Sequence, residues 1–207
     1  MQKIKVVGVG PGSANHLTPE AAAAIQTADI VVGARRHLDS FAAENQEKMI
    51  LNNHLDKMVE FIQSRRNQRI VVVASGDPGL YGILKYLLRH FDPQQIEVVP
   101  GISSIQLAFA KLAMPWEDAI LLSAHGRSVE TIEKLLEESQ KVAILTGSDN
   151  PPVKIFEMFS QKGIRKTFYL CFDLSLPGEA IIRLQAGDDF PEEYIERHCC
   201  VMVVINE

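Results

Sequence analysis

VGVGPGSANHLTPEA (Val7–Ala21) follows the apolar run KIKVV and packs three glycines and a proline into residues 8–12. A strand, a glycine-rich turn and a helix in that order open the dinucleotide-binding sheets, but they open other parallel α/β folds as well. A dinucleotide fingerprint runs GxGxxG straight into a helix, so that backbone amides and the helix N-terminus meet the pyrophosphate. Here Gly8 and Gly10 fit, but Ser13 holds the third position, and Pro11 removes one N–H from the cradle. The helix starts late: six residues separate Gly12 from Pro19, where Thr18 as N-cap and Glu20 in the first turn mark its beginning. The second strand, DIVVGARR, ends in two arginines where a ribose-binding acid is expected. The absence of GKS or GKT excludes a P-loop. The opening loop is therefore a tight strand-end turn of a parallel α/β fold, and not a phosphate cradle.

Working outward, strand and helix alternate. RIVVVASGDPG (69–79) is a continuously apolar strand stopped by a turn, and Leu55, Met58, Val59 and Ile62 recur at helical spacing. LYGILKYLLRHF (80–91) reads as a helix, IEVVPG (96–101) as a strand and SSIQLAFAKLA (103–113) as a helix. Short apolar strands with helices between them predict a parallel sheet buried on both faces. AMPWED (113–118) reads as a hinge, with Trp116 packing the halves together. Beyond KVAILTG (141–147) and the helix PPVKIFEMFSQKG come three strand-like segments, KTFYLCFDL, EAIIRLQAG and CCVMVVIN, with no helices between them. That change of rhythm predicts a mixed sheet with an antiparallel section. The expected organisation is two α/β domains, 1–114 and 115–207, with a ligand cleft between them.

The bulk numbers limit the function classes. A chain of 207 residues is long enough for two domains of about 100 residues each. A net charge of −5 argues against general nucleic-acid binding, which shows as a basic surplus. Three cysteines, Cys171, Cys199 and Cys200, lack any CxxC spacing and read as buried thiols of a reduced compartment. With no leader and no apolar run of about 18 residues, a cytoplasmic protein without a membrane span is expected.

Chemistry-bearing residues gather at strand ends, where open α/β sheets place their ligands. ASGDPGLYG (74–82) offers Asp77 either as a ligand contact or as the N-cap of the next helix. VVPGISS places Ser103 and Ser104 at a helix start. His125 and Arg127 in SAHGR end a later strand, and Arg35, Arg36 and His37 form a basic knot suited to anionic groups. TGSDNPP (146–152) reads as a strand end and helix start capped by Asp149 or Asn150. No nucleophile–base order and no histidine pair at metal spacing is present, so no metal is expected.

VGVGPGSANHLTPEA, ASGDPGLYG, VVPGISSIQLAFAKLAMPWEDA, SAHGR and DLSLPGEAI together resemble the tetrapyrrole methylase family along the whole chain. PGISSIQLAFAKLAMPWEDAILLSAHGR is similar to the branch that methylates carbon-5 of the corrin precursor cobalt-precorrin-7. The resemblance implies two α/β domains, S-adenosylmethionine (S-adenosyl-L-methionine) as methyl donor and a homodimer. By position it implies that Gly76, Asp77, Leu80, Ser104, Ile105, Leu145 and Thr146 hold the donor. Gly10 and Pro11 would border the tetrapyrrole substrate, Arg35, Arg36 and Arg127 would clamp its carboxylates, and His125 would accept a proton. In some organisms this activity is fused to a carbon-15 methylating, decarboxylating domain; here a separate partner protein is expected for that step. The alternatives are another methyltransferase of the same fold, acting on a different ring carbon, a protein or ribosomal RNA, and a nicotinamide-dependent oxidoreductase.

Overall fold

KIKVV becomes strand β1 (Ile4–Gly8), the second-to-last strand of a five-stranded parallel sheet. Its companions are β2 (Ile30–Gly33), β3 (Glu47–Ile50), β4 (Ile70–Ala74) and β5 (Ile96–Val99), in the order β3-β2-β4-β1-β5. The computed structural model describes residues 2–52, 54–126, 129–160, 166–197 and 200–206. Every pairing in this first sheet is parallel, and β1 pairs Val7 with Val73 of β4 and with Val99 of β5.

Strand alternation explains the unbroken apolar runs. Val6, Val32 and Val72 face Met58, Val59 and Ile62 of helix α3 (Leu55–Ser64). Val7, Val31, Val71 and Val73 face Ala21, Ala24 and Ile25 of α1 (Pro19–Gln26) and Leu38 of α2 (Arg35–Phe41). The middle of each face is dry and apolar, and the polar pair Lys5–Glu97 sits on the β1–β5 side, where the sheet is partly exposed. Thr18 caps α1 as its sequence predicts, its Oγ1 accepting from the Ala21 amide at 3.1 Å.

Two elements differ from the sequence expectation. Strand β3 has no apolar signature because it is an edge strand with Glu47 and Lys48 exposed. The helix expected over 80–91 shrinks to α4 (Leu84–Leu87). Tyr81 sits at φ +54°, which no helix admits, so the chain turns through the glycines before helix geometry begins.

The chain divides into two compact units, Met1–Ser103 and Ser104–Glu207. The second contains α5 (Ser104–Lys111), β6 (Ile120–Ser123), α6 (Val129–Glu138), β7 (Lys141–Leu145), α7 (Pro152–Ser160), β8 (Lys166–Phe172), β9 (Ala180–Gln185) and β10 (Cys200–Asn206). Its sheet runs β6-β7-β10-β8-β9. Only β6 and β7 are parallel; β10 runs antiparallel to β7 and β8, and β9 antiparallel to β8. This is the mixed sheet expected from the helix-free end of the chain. Ile132 and Leu136 of α6 and Phe156 and Phe159 of α7 bury one face with Leu122, Phe168 and Met202. Helix α5 packs against β7 and β10, so the units part at Ser103, upstream of the boundary expected near Pro115. Trp116 stacks on Phe109 of α5, with ring centroids 6.4 Å apart, inside the second unit.

The buried polar groups of this unit are structural. Lys166 is buried, with its Nζ donating to the Leu136 carbonyl at 2.5 Å and to Asn206 Oδ1, and burial pushes its pKa down. Cys171 and Cys200 are buried, and burial pushes the Cys171 thiol up to about 12; Cys199 lies outside the described residues. No described helix is long and apolar enough to cross a membrane.

Candidate functional site

In the first unit the parallel order β4-β1-β5 sets three carboxyl-terminal loops side by side. They meet main chain to main chain. A Cβ at Gly8 would lie 2.5 Å from the Gly76 oxygen and 2.6 Å from the Gly101 nitrogen, far inside van der Waals contact. Past the sheet, Gly10 and Gly76 exchange a pair of amide–carbonyl bonds at 3.3 and 2.8 Å. The opening glycines are thus required by close backbone approach, and Gly10, half-buried Pro11 and Gly76 come together in one place.

Asp77 ties two of these loops with its carboxylate. Oδ1 accepts from the Gly79 amide at 2.8 Å, and Oδ2 accepts from the Gly101 amide at 3.2 Å. It does not cap the following helix, which starts only at Leu84. Leu80, half-buried, closes the turn with its amide on the Asp77 carbonyl at 3.3 Å.

Arg35 and Arg36 form the first turn of α2, and the two behave differently. Arg35 is exposed. Arg36 donates through Nε to His37 Nε2 at 3.2 Å and through Nη2 to Ser75 Oγ at 2.6 Å. Ser75, directly before Gly76, also lies 3.1 Å from His37 Nε2. His37 is buried, and burial together with the Arg36 charge pushes its pKa down to about 4. The Ser75–His37 spacing is that of a nucleophile and its base. Arg36 occupies both, and a histidine of such low basicity is a weak proton acceptor near neutrality. The cluster is built for holding Arg36, not for covalent catalysis.

The second unit presents its own strand-end loops, after β6 and β7. A Cβ on Gly147 would fall 2.5 Å from His125 Nδ1, so the imidazole of exposed His125 lies directly on the Gly147 backbone. Asn150 is buried and donates through Nδ2 to the Ala124 carbonyl at 2.9 Å, while its Oδ1 accepts from Lys154 Nζ at 3.0 Å. Thr146 is buried too: Oγ1 donates to the Cys200 carbonyl at 3.0 Å and accepts from the Cys200 amide at 2.9 Å. Its hydroxyl is spent on β10. Leu145 accepts from the Ala124 amide through its carbonyl at 2.9 Å. Ser104 and Ile105 open α5, the first half-buried and the second fully buried. Arg127 lies outside the described residues.

Each unit thus gathers its own subset: Gly10, Pro11, Gly76, Asp77 and Arg36 in the first, and His125, Leu145 and Thr146 in the second. The role of Ser75 was not foreseen from sequence. Its signal was there: a hydroxyl breaking the apolar run IVVVA immediately before the GDPG turn.

Comparison with known proteins adds four findings. The family model described as Tetrapyrrole (Corrin/Porphyrin) Methylases matches residues 3–188. A Salmonella typhimurium protein named cobalt-precorrin-7 C(5)-methyltransferase is 38% identical over 160 residues, covering 77% of this chain and 79% of its own. A Methanocaldococcus jannaschii protein named probable cobalt-precorrin-7 C(5)-methyltransferase is 39% identical over 137 residues, 64% of each chain. Among solved structures, the methyltransferase CobJ superposes with a TM-score of 0.79 at 25% identity, covering 100% of this chain and 95% of that one.

Proposed function

Because the chain belongs to the tetrapyrrole (corrin/porphyrin) methylase family, we propose that it methylates carbon-5 of a corrin precursor of the cobalt-precorrin-7 kind in cobalamin biosynthesis. The observation that carries this assignment is the 38% identity to the Salmonella protein across 77% of the chain. The methyl donor is S-adenosylmethionine, whose sulfonium supplies a methyl group already activated for attack by an electron-rich carbon. The protein then needs neither a covalent nucleophile nor a strong base. Its task is to align the reacting atoms and exclude water, which contributes up to roughly 7–11 kcal/mol in favourable systems.

The residues present fit such a donor. The strand ends of the first unit carry no side chains at Gly8, Gly76 and Gly101 and are tied together by Asp77, so a ligand beside them meets a fixed turn with no side chain in the way. In this reading Gly76, Asp77, Leu80, Ser104, Ile105, Leu145 and Thr146 are the donor-holding residues. Thr146 serves by its position, its hydroxyl and its amide both being committed to Cys200. Gly10 and Pro11 border the substrate; Arg35, Arg36 and Arg127 take carboxylates of its acetate and propionate arms. His125, seated on Gly147, accepts a proton as the ring system rearranges. The proposed partners are a second copy of the chain and a separate carbon-15 methylating enzyme.

Calorimetry and product analysis test the assignment. S-adenosylhomocysteine is expected to bind at about one per chain, as one donor site per chain requires, and NADH is expected not to bind. Turnover should add one methyl group by mass, with NMR placing it on carbon-5. Binding of NADH in place of the thioether would move the chain to the oxidoreductase class. Methylation of another carbon would move it to another branch of the same family. Light scattering of the purified chain reads the dimer.

A further inference from the structure

The geometry around Arg36 determines the state of His37. An arginine Nε always carries its hydrogen, so the His37 Nε2 facing it at 3.2 Å must be the acceptor. The ring is therefore neutral, with its proton on Nδ1. That Nδ1 is buried and has no hydrogen-bond partner among the described residues. A buried polar atom left in this state calls for a reason, since an apolar side chain of similar size would fill the same space without it. The reason lies on the other side of the ring. His37 Nε2 and Ser75 Oγ hold the Nε and one Nη2 hydrogen of Arg36. Of the five guanidinium donors, three are left without a partner among the described residues, including both on Nη1. These define an edge able to receive one carboxylate in a two-bond fork. Arg36 itself is exposed, so the edge is accessible.

We propose that His37 and Ser75 are positioning residues that lock Arg36 as a clamp for one peripheral carboxylate arm of the tetrapyrrole. This rests on the methyltransferase assignment above. A free arginine on a helix surface samples many rotamers and binds a carboxylate only after paying for their loss; here the ordering is built into the fold.

Steady-state kinetics with the tetrapyrrole substrate, together with calorimetry of S-adenosylhomocysteine, test the clamp. Arg36→Ala should raise KM about tenfold or more, the size expected for losing charge-assisted hydrogen bonds, with kcat and thioether affinity nearly unchanged. Ser75→Ala and His37→Leu, which leave the arginine but free it, should raise KM by about three- to tenfold. His37→Gln supplies an acceptor oxygen at the same place and should restore a KM near the wild-type value. Imidazole nitrogen NMR of the wild-type protein near neutral pH should show the Nδ1–H tautomer.

An unchanged KM in both Arg36→Ala and Ser75→Ala, in a protein that turns over normally, overturns the clamp, whatever the change in melting temperature. An Nε2–H tautomer overturns it independently of activity. Failure of His37→Leu to fold leaves Ser75→Ala, at an exposed position, to decide. If wild-type protein neither binds the thioether nor methylates a tetrapyrrole, the functional assignment itself fails and the clamp falls with it.

Discussion

The two units hold their strand-end loops by different means. In the first, backbone meets backbone: Gly8, Gly76 and Gly101 approach so closely that no side chain fits. In the second, side chains do the holding: Thr146 reaches Cys200, Asn150 reaches Ala124, and His125 lies on Gly147. The first arrangement is limited by space, the second by hydrogen bonds, and the two fail differently on mutation. Space fails at the first added methyl, because interiors relax only partially around an intruding atom. A hydrogen bond fails by degrees.

The largest effect therefore belongs to Gly101→Ala. Its new Cβ falls on the Gly76 carbonyl oxygen and 2.7 Å from the Gly8 carbonyl carbon, with backbone on both sides and no flexible side chain to move aside. The expected loss is about 3 kcal/mol or more, read as a lowered urea midpoint, with weakened S-adenosylhomocysteine binding. A variant with wild-type midpoint and affinity would break the contrast drawn above.

Next in size is a pH effect in the Arg36–His37–Ser75 cluster of the first unit. His37 titrates at about 4 in the folded protein against 6.5 as its ordinary value. Between those values the unfolded chain takes up a proton that the native state refuses. Stability should therefore be intact above about pH 6.5 and fall as pH drops towards 4, by at most about 3 kcal/mol. His37→Gln should flatten that slope. Asp29, held down to about 2 by the hydrogen bonds and charge of Arg69, acts in a lower window: its contribution is present above its ordinary 3.8 and is lost below it. Urea midpoints measured from pH 8 to pH 4 separate the two groups.

These contrasts were only partly legible in the sequence. The parallel sheet was, because strands buried on both faces must be apolar throughout, as IVVVA shows. The mixed sheet was, because no helical period separates the last three strands. Thr18 announced its helix through the adjoining proline and glutamate. Edge strand β3 was not legible, since one exposed flank removes the need for apolar residues and leaves EKMI without a pattern. The short α4 was hidden too: LYGILKYLLRHF has helical composition, and only the backbone geometry at Tyr81 delays the helix. At the strand ends, sequence pointed to the glycine turns but not to the way they are held. A carboxylate binding amides in two loops, as Asp77 does, depends on which strands are neighbours, and local spacing does not reveal that.

In the second unit, Thr146→Val preserves shape and removes the two hydroxyl bonds to Cys200, keeping the amide bond to the Cys200 carbonyl. Losing a buried hydroxyl that both donates and accepts should cost about 2 kcal/mol by denaturant unfolding. A cost below about 0.5 kcal/mol would mean that main-chain pairing, and not the hydroxyl, holds this strand end.

The smallest effects come from two carboxylates with parallel jobs. Asp77 holds the amides of Gly79 and Gly101, and Glu179 holds the Ser175 amide at 2.7 Å and Lys111 Nζ at 2.7 Å. Replacing Asp77 by Asn keeps one acceptor but turns an N–H towards the Gly101 amide, so about 1 kcal/mol should be lost. Glu179→Gln keeps an acceptor for Ser175 and gives up an ion pair whose lysine is well exposed; such pairs contribute about 0.2–1 kcal/mol. Added salt should shrink the Glu179→Gln difference further and leave most of the Asp77→Asn difference in place, because amide bonds in a packed loop are little screened. Equal losses with equal salt dependence would show that Asp77 is an ordinary surface charge. The first unit's loops would then rest on glycine contacts alone.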